Sequence, residues 1–223
     1  MLPRPARWLF TSMALLSGLA AAEPVPREAE EKTDSFGAVV APAMLPRGAT
    51  SVYGYGGAQE IAAGFRQGLA VFEVEARARF NYFLVAFSAE LLLRHTFYRS
   101  SSAELAPYLG AGFVYDAGAG YVRNGNFEYS GVRALGGLIA TYKIAETVRA
   151  VGELDVPMDF VLNPAHGYRF FPLGGGGAEV QLASDITALL MAQVGVDVFR
   201  EPLGEPVFYL GYQFRIGLGF RLF

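Results

Sequence analysis

The 223-residue chain has no cysteine, two histidines and one tryptophan. Without cysteine there is no structural disulfide and no lipidated cysteine at a cleavage site, so stability has to come from the fold itself. With only His95 and His166 there is no histidine cluster for a metal, and general base chemistry has few places to sit. Charge of one sign is scarce as well, with 18 Lys and Arg against 21 Asp and Glu. The arginines are spaced singly, so the basic patch that a phosphate backbone requires is missing and nucleic acid is not an expected partner. Beyond residue 22 no apolar run approaches the roughly 20 residues of a membrane-spanning helix.

The N-terminus carries Arg4 and Arg7, an apolar run from Trp8 to Leu19, and Ala20, Ala21 and Ala22 ahead of Glu23. This is the pattern of a cleavable secretory signal over residues 1–22, too short for a transmembrane anchor. Its removal takes away two arginines and the only tryptophan, leaving the mature chain slightly more acidic. Residues 23–48 combine Glu23, Glu28, Glu30, Glu31 and Asp34 with Arg27, Lys32, Pro24, Pro26, Pro42 and Pro46. That composition predicts a disordered, acidic and proline-rich periplasmic segment, with a plug folded into a lumen or a partner-binding tail as the alternatives.

From Ala49 onward apolar and polar residues alternate. The clearest stretch is Val71 to Phe80, where Phe72, Val74, Ala76, Ala78 and Phe80 face one way and Glu73, Glu75, Arg77 and Arg79 the other. Only a closed barrel exploits such alternation in a membrane, because strand pairing satisfies every backbone group. Ten strands are predicted, at 50–56, 60–66, 70–79, 83–95, 104–115, 131–143, 147–158, 171–183, 186–198 and 206–223. Eight is the alternative, because the glycine-rich first hairpin, Tyr53 to Phe65, specifies its register poorly. Counting back from a periplasmic C-terminus, loops 116–130, 159–170 and 199–205 fall outside, and the shorter turns fall on the periplasmic side. Aromatic residues such as Phe80, Tyr82, Phe97, Tyr98, Phe113, Tyr115, Phe170 and Phe208 gather near strand ends, as interfacial girdles do.

The polar faces hold Glu73, Glu75, Arg77, Arg79, Glu90, Arg94, Arg133, Arg149, Glu153, Asp155, Glu179, Asp197 and Arg215, together with Gln181 and Gln193. Buried unpaired charge is costly, so these residues are expected to form a salt-bridge lattice across a narrow lumen, with a substrate-binding wall as the alternative.

The last strand, Val207 to Phe223, puts Phe208, Leu210, Tyr212, Phe214, Ile216, Leu218, Phe220 and Leu222 on one face. The other face carries Tyr209, Gln213, Arg215 and Arg221 among glycines. This aromatic-ended strand resembles the assembly signal of small outer-membrane β-barrels of Gram-negative bacteria, although Phe223 is out of phase with Phe220 and Leu222. The resemblance implies an all-β, closed antiparallel up-and-down transmembrane barrel over residues 49–223. It also implies an outer-membrane location, lipid and the barrel-assembly machinery as partners, and Phe220, Leu222 and Phe223 as the assembly signal. It carries no catalytic residues with it.

A few further residues bear on chemistry. His166 shares the loop at 159–170 with Asp159, Asn163 and Tyr168, the minimum for a base oriented by a carboxylate, but no serine lies in that loop. His95 follows Leu91 and Leu93 and is expected to be interfacial. Glu153 and Asp155 are a same-face carboxylate pair beside Arg149. Gly174 to Gly177 lacks the GK[ST] of a phosphate loop and suggests close strand packing. Asn124 to Asn126 mark a turn at a loop tip. The leading expectation is therefore a non-enzymatic barrel without cofactor or metal, with a structural or narrow-pore, porin-like role and an unspecified solute. The alternatives are an outer-membrane hydrolase or lipid-modifying enzyme using His166 and Asp159, and a soluble periplasmic barrel with an apolar ligand inside.

Overall fold

A computed structural model describes residues 36–119, 126–164, 167–201 and 204–222. Among the described residues twelve strands occur in the order β1 (Thr50–Gly56), β2 (Glu60–Gly68), β3 (Glu73–Asn81), β4 (Ala86–Arg94), β5 (Tyr98–Arg99), β6 (Ala103–Ala117), β7 (Glu128–Ala145), β8 (Val148–Asn163), β9 (Tyr168–Phe170), β10 (Leu173–Gln181), β11 (Ile186–Arg200) and β12 (Val207–Arg221). Ten of them close a ring of antiparallel neighbours. β12 returns to pair β1 from Ser51↔Arg221 to Gly56↔Ile216, and β8 pairs β10 from Val148↔Val180 to Leu173↔Asp155. The barrel therefore has ten strands rather than eight. The first hairpin is in register from Thr50↔Gln67 to Gly56↔Ile61 despite its glycines.

β5 and β9 lie off the ring. β5 pairs β6 through Tyr98↔Leu105, and β9 is wedged between β8 and β11 through Met158↔Phe170 and Val198↔Phe170. The strand expected over 171–183 starts only at Leu173, because Pro172 has no N–H to give to a ladder. The loop expected over 159–170 is mostly strand: β8 runs on to Asn163, with Phe160 and Leu162 outward and Asp159 and Val161 inward. Pro157 and the Asn163–Pro164 dipeptide disguised that continuation. Gly175 and Gly177 of β10 sit where a Cβ would come within 2.0 Å of the Ala192 carbonyl oxygen and 1.9 Å of the Leu190 carbonyl oxygen, so this wall curls more tightly than a side chain would allow.

The polarity of the wall is inverted relative to a water-soluble protein. Leu109 and Leu210 are each 71% exposed on the outside, while Glu73, Glu75, Asp116, Glu179 and Asp197 are fully buried inside. The soluble barrel considered as an alternative needs the opposite arrangement, with Glu73 to Arg79 outward, so the side-chain directions exclude it.

The apolar core lies within the lumen, where residues from outside the sheet pack against the inner faces of the strands. Phe36, Val39, Val40, Ala41 and Ala43 pack against Tyr53, Tyr55, Leu92, Tyr108, Ile139, Val151, Leu189 and Met191. The disorder expected over 23–48 is thus corrected for residues 36–45, which are buried throughout. That stretch, FGAVVAPAML, carries no charge, unlike the acidic residues before it, and the barrel offers it an apolar surface to cover. Residues 1–35, including the expected signal and the acidic stretch, lie outside the described residues.

Candidate functional site in the barrel lumen

Period-two alternation sends every second residue of each strand into the lumen, and antiparallel pairing sets acids beside bases. Arg77 of β3 is directly opposite Glu90 of β4, Arg133 of β7 opposite Asp159 of β8, and Arg149 of β8 opposite Glu179 of β10. Three levels follow along the barrel, from the end carrying Thr50 and Arg221, here the terminal end, to the distal end.

At the terminal end the residues 36–45 are gripped by side chains of the wall. Glu179 accepts the backbone N–H groups of Ala38 and Val39 on Oε1 at 2.7 and 3.0 Å, and those of Val40 and Ala41 on Oε2 at 2.9 and 2.8 Å. Arg66 binds Glu73 through Nε and Nη2 at 2.7 and 2.9 Å, and also donates to the carbonyls of Val39 and Pro42 at 3.1 and 2.9 Å. Glu73 accepts the Leu45 N–H, and Glu104 accepts the Ala43 N–H at 2.9 Å. The Arg149 guanidinium lies 5.1 Å from the centre of the Phe36 ring. Arg221 donates to the Gly37 carbonyl at 3.0 Å.

In the middle, Arg94 donates to Glu75, which also accepts from the Tyr53 hydroxyl. Arg77 and Arg79 converge on Glu90, with Arg79 Nε at 2.9 Å, and both reach Asp155, Arg79 at 3.3 Å and Arg77 at 3.7 Å. The Tyr108 hydroxyl donates to Asp155 at 2.7 Å. Arg215 holds Glu153 at 2.7 Å and stacks over Tyr55 at 4.9 Å. The same-face carboxylates Glu153 and Asp155 are thus each claimed by arginine. Gln193 is buried opposite Gln213, and Gln181 sits at the terminal rim with its amide on the Ser184 carbonyl.

At the distal end Arg169 of β9 bridges Asp197 at 2.6 Å and Asp116 at 3.0 Å. Arg133 binds Asp159 through Nε and Nη2 at 2.6 and 2.8 Å and extends to Glu90 at 3.1 Å, joining this level to the middle one. The Tyr129 hydroxyl donates to Asp159 at 2.7 Å. A cavity of about 50 Å³ remains here, lined by Glu60, Arg79, Asp116, Tyr129, Arg133 and Arg169 among others. That exceeds the roughly 10–15 Å³ a cavity needs to hold a water.

Asp159 is therefore a buried strand residue in a bidentate ion pair, not a loop carboxylate free to orient an imidazole. His166, Phe223, Asn124 and Gly125 lie outside the described residues. His95 stands exposed just past β4, its Nδ1 2.8 Å from the Val71 carbonyl. Phe220 and Leu222 are exposed on the outer face.

Arg66, Asp116, Arg169 and the lumen tyrosines were not picked out from the sequence. Arg66 was hidden by the glycine-rich hairpin, although Ile61, Ala63 and Phe65 already set the outward face of β2. Arg169 and Asp116 fell within segments assigned to loops. For Arg169 the usable signal was the continued alternation of Phe160 and Leu162, which implies a taller wall on that side.

No family model and no curated protein sequence matches the chain. Among solved structures, a KdgM porin in complex with disordered oligogalacturonate is 8% identical, with a TM-score of 0.41, over 77% of this chain and 98% of that one. The NanC porin is 12% identical, with a TM-score of 0.38, over 78% of this chain and 100% of that one. The outer membrane channel DcaP of Acinetobacter baumannii is 14% identical, with a TM-score of 0.33, over 73% of this chain and 51% of that one. The likeness is one of barrel type and goes no further.

Proposed function

We propose that the chain is a non-enzymatic integral outer-membrane β-barrel whose lumen is a narrow passage, closed in this arrangement by its own side chains and by residues 36–45. The observation that carries this reading is the inversion of polarity: an apolar exterior on every long strand around an interior of paired charge. In water, that exterior would expose far more contiguous apolar surface than a soluble monomer tolerates. In a bilayer it meets acyl chains, while ring closure leaves no unpaired sheet edge in lipid. A ten-stranded barrel is only slightly wider than the eight-stranded size that side chains fill, and pairing of its arginines with carboxylates favours a closed state over steady flow.

On this reading residues 1–22 act as an export signal, and Phe220, Leu222 and Phe223 are presented to the assembly machinery. An enzymatic role has less support, since Asp159 is engaged by Arg133 and Tyr129.

The test is fractionation of the expressed protein, gel mobility with and without boiling, and conductance in planar bilayers. Outer-membrane partition, a heat-dependent mobility shift and rare, small conductance steps are expected. A soluble periplasmic protein without a shift refutes the proposal. Placing a charge on the lipid face near the middle of β11, as in Val194→Arg, should lower the yield of the heat-modifiable form, at a cost of about 2–4 kcal/mol.

A further inference from the structure

We propose that residues 36–45 are a gate, latched to the wall by the carboxylate of Glu179 seated in a nest of four consecutive backbone N–H groups. The proposal rests on the outer-membrane barrel reading above and adds to it the element that opens the passage.

The segment belongs to no strand, and its polar anchors are wall side chains rather than a sheet ladder. Its amides go to acids: those of Ala38 to Ala41 to Glu179, that of Ala43 to Glu104 and that of Leu45 to Glu73. Its carbonyls go to guanidinium groups: Val39 and Pro42 to Arg66, and Phe36 and Gly37 to Arg221. Backbone that is buried must find partners, and here a few side chains supply them. The attachment is thus concentrated where a single substitution can loosen it, whereas each wall strand is held by a full row of ladder bonds.

The nest is built for an anion. Successive N–H groups curled around one point form a concavity that binds a carboxylate. The curl depends on Gly37, at φ +90°, where an added Cβ would lie 2.2 Å from the Ala41 carbonyl oxygen. Thr187 completes the carboxylate's shell, donating to Oε1 at 2.6 Å. The segment is also the dry part of the lumen. Phe36, Val39, Val40, Ala41 and Ala43 join Leu92, Ile139, Val151, Leu189 and Met191 in one apolar cluster. An apolar constriction of this kind stops ions by excluding water, while the paired charges farther along can hydrate.

The experiment compares the parent, Glu179→Gln and a chain lacking residues 36–45, each first confirmed as a heat-modifiable membrane barrel. Glu179→Gln removes the charge that four amides share, so open probability should rise about tenfold or more. The deletion should open the passage at least as far. A complementary pair, Ala38→Cys with Gly219→Cys, uses the absence of native cysteine. A Cβ added at Gly219 would lie 2.8 Å from that of Ala38, so a disulfide forms once the segment backs off by about 1 Å. In the Glu179→Gln background, oxidation should restore parental closure and reductant should reopen the passage.

If inserted barrels show the same conductance with Glu179→Gln, with the deletion and with the cross-link made or broken, the segment is not the gate. Should the deletion fail to assemble, the cysteine pair in the parent decides: oxidation must abolish the residual openings, and openings unchanged by oxidation overturn the proposal. Failure of the underlying reading is distinct, because then the parent itself neither inserts nor shifts on heating.

Discussion

The two ends of the lumen are filled by different means. At the terminal end, charged side chains of the wall bind main chain, with Glu179, Glu73 and Arg66 taking up the amides and carbonyls of residues 36–45. At the distal end, charged side chains bind one another, as Arg169 does with Asp116 and Asp197, and Arg133 with Asp159. The first arrangement is dry and roofed by apolar residues, while the second borders a small cavity. A side chain lost at the terminal end leaves buried main chain and a buried opposite charge without partners. One lost at the distal end leaves a gap beside a cavity that Asp116, Arg133 and Arg169 already line. The same chemistry should therefore tolerate substitution very differently at the two ends.

The sharpest test of that contrast is Glu73→Ala. It leaves the fully buried Arg66 guanidinium without its carboxylate and the Leu45 amide without its acceptor, so a loss of about 3–5 kcal/mol is expected. The readout is a lower denaturant midpoint for loss of the heat-modifiable form. At the distal end, Arg169→Met removes a cation between two acids beside the cavity. Hydration of Asp116, which lines the cavity, should hold the loss to about 1–3 kcal/mol by the same measurement. Equal costs for these two substitutions would erase the distinction between a dry and a wet end. The smallest effect, about 1 kcal/mol, is expected for Tyr129→Phe, which deletes one hydroxyl from Asp159 and leaves its bidentate arginine in place.

Much of this was legible in the sequence because the signal for a strand is local. The alternation of Glu73, Glu75, Arg77 and Arg79 with Val74, Ala76, Ala78 and Phe80 sets two faces by backbone geometry alone, and β3 to β4 and β10 to β12 fall close to where that pattern places them. What escaped notice was non-local or masked by composition. β9 has three residues and exists only because β8 and β11 rise high enough to flank it. Arg66 sits among glycines that blur its strand. Phe36 to Leu45 has no periodicity to read, since it forms neither helix nor strand, and Pro42 within it and Pro46 beside it argue for disorder.

The sequence by itself determined which residues share a face and the charge and apolar character of each face, and hence a barrel; which face turns into the lumen was settled by the structure. Only the tertiary structure decided which acid meets which base, that β8 and β10 close the ring, and that an uncharged N-terminal segment lies inside it. The physical reason is one of range. Facing follows from the two-residue repeat of a strand, whereas partners such as Ala38 and Glu179, 141 residues apart, meet only once the ring has closed and left an interior to fill.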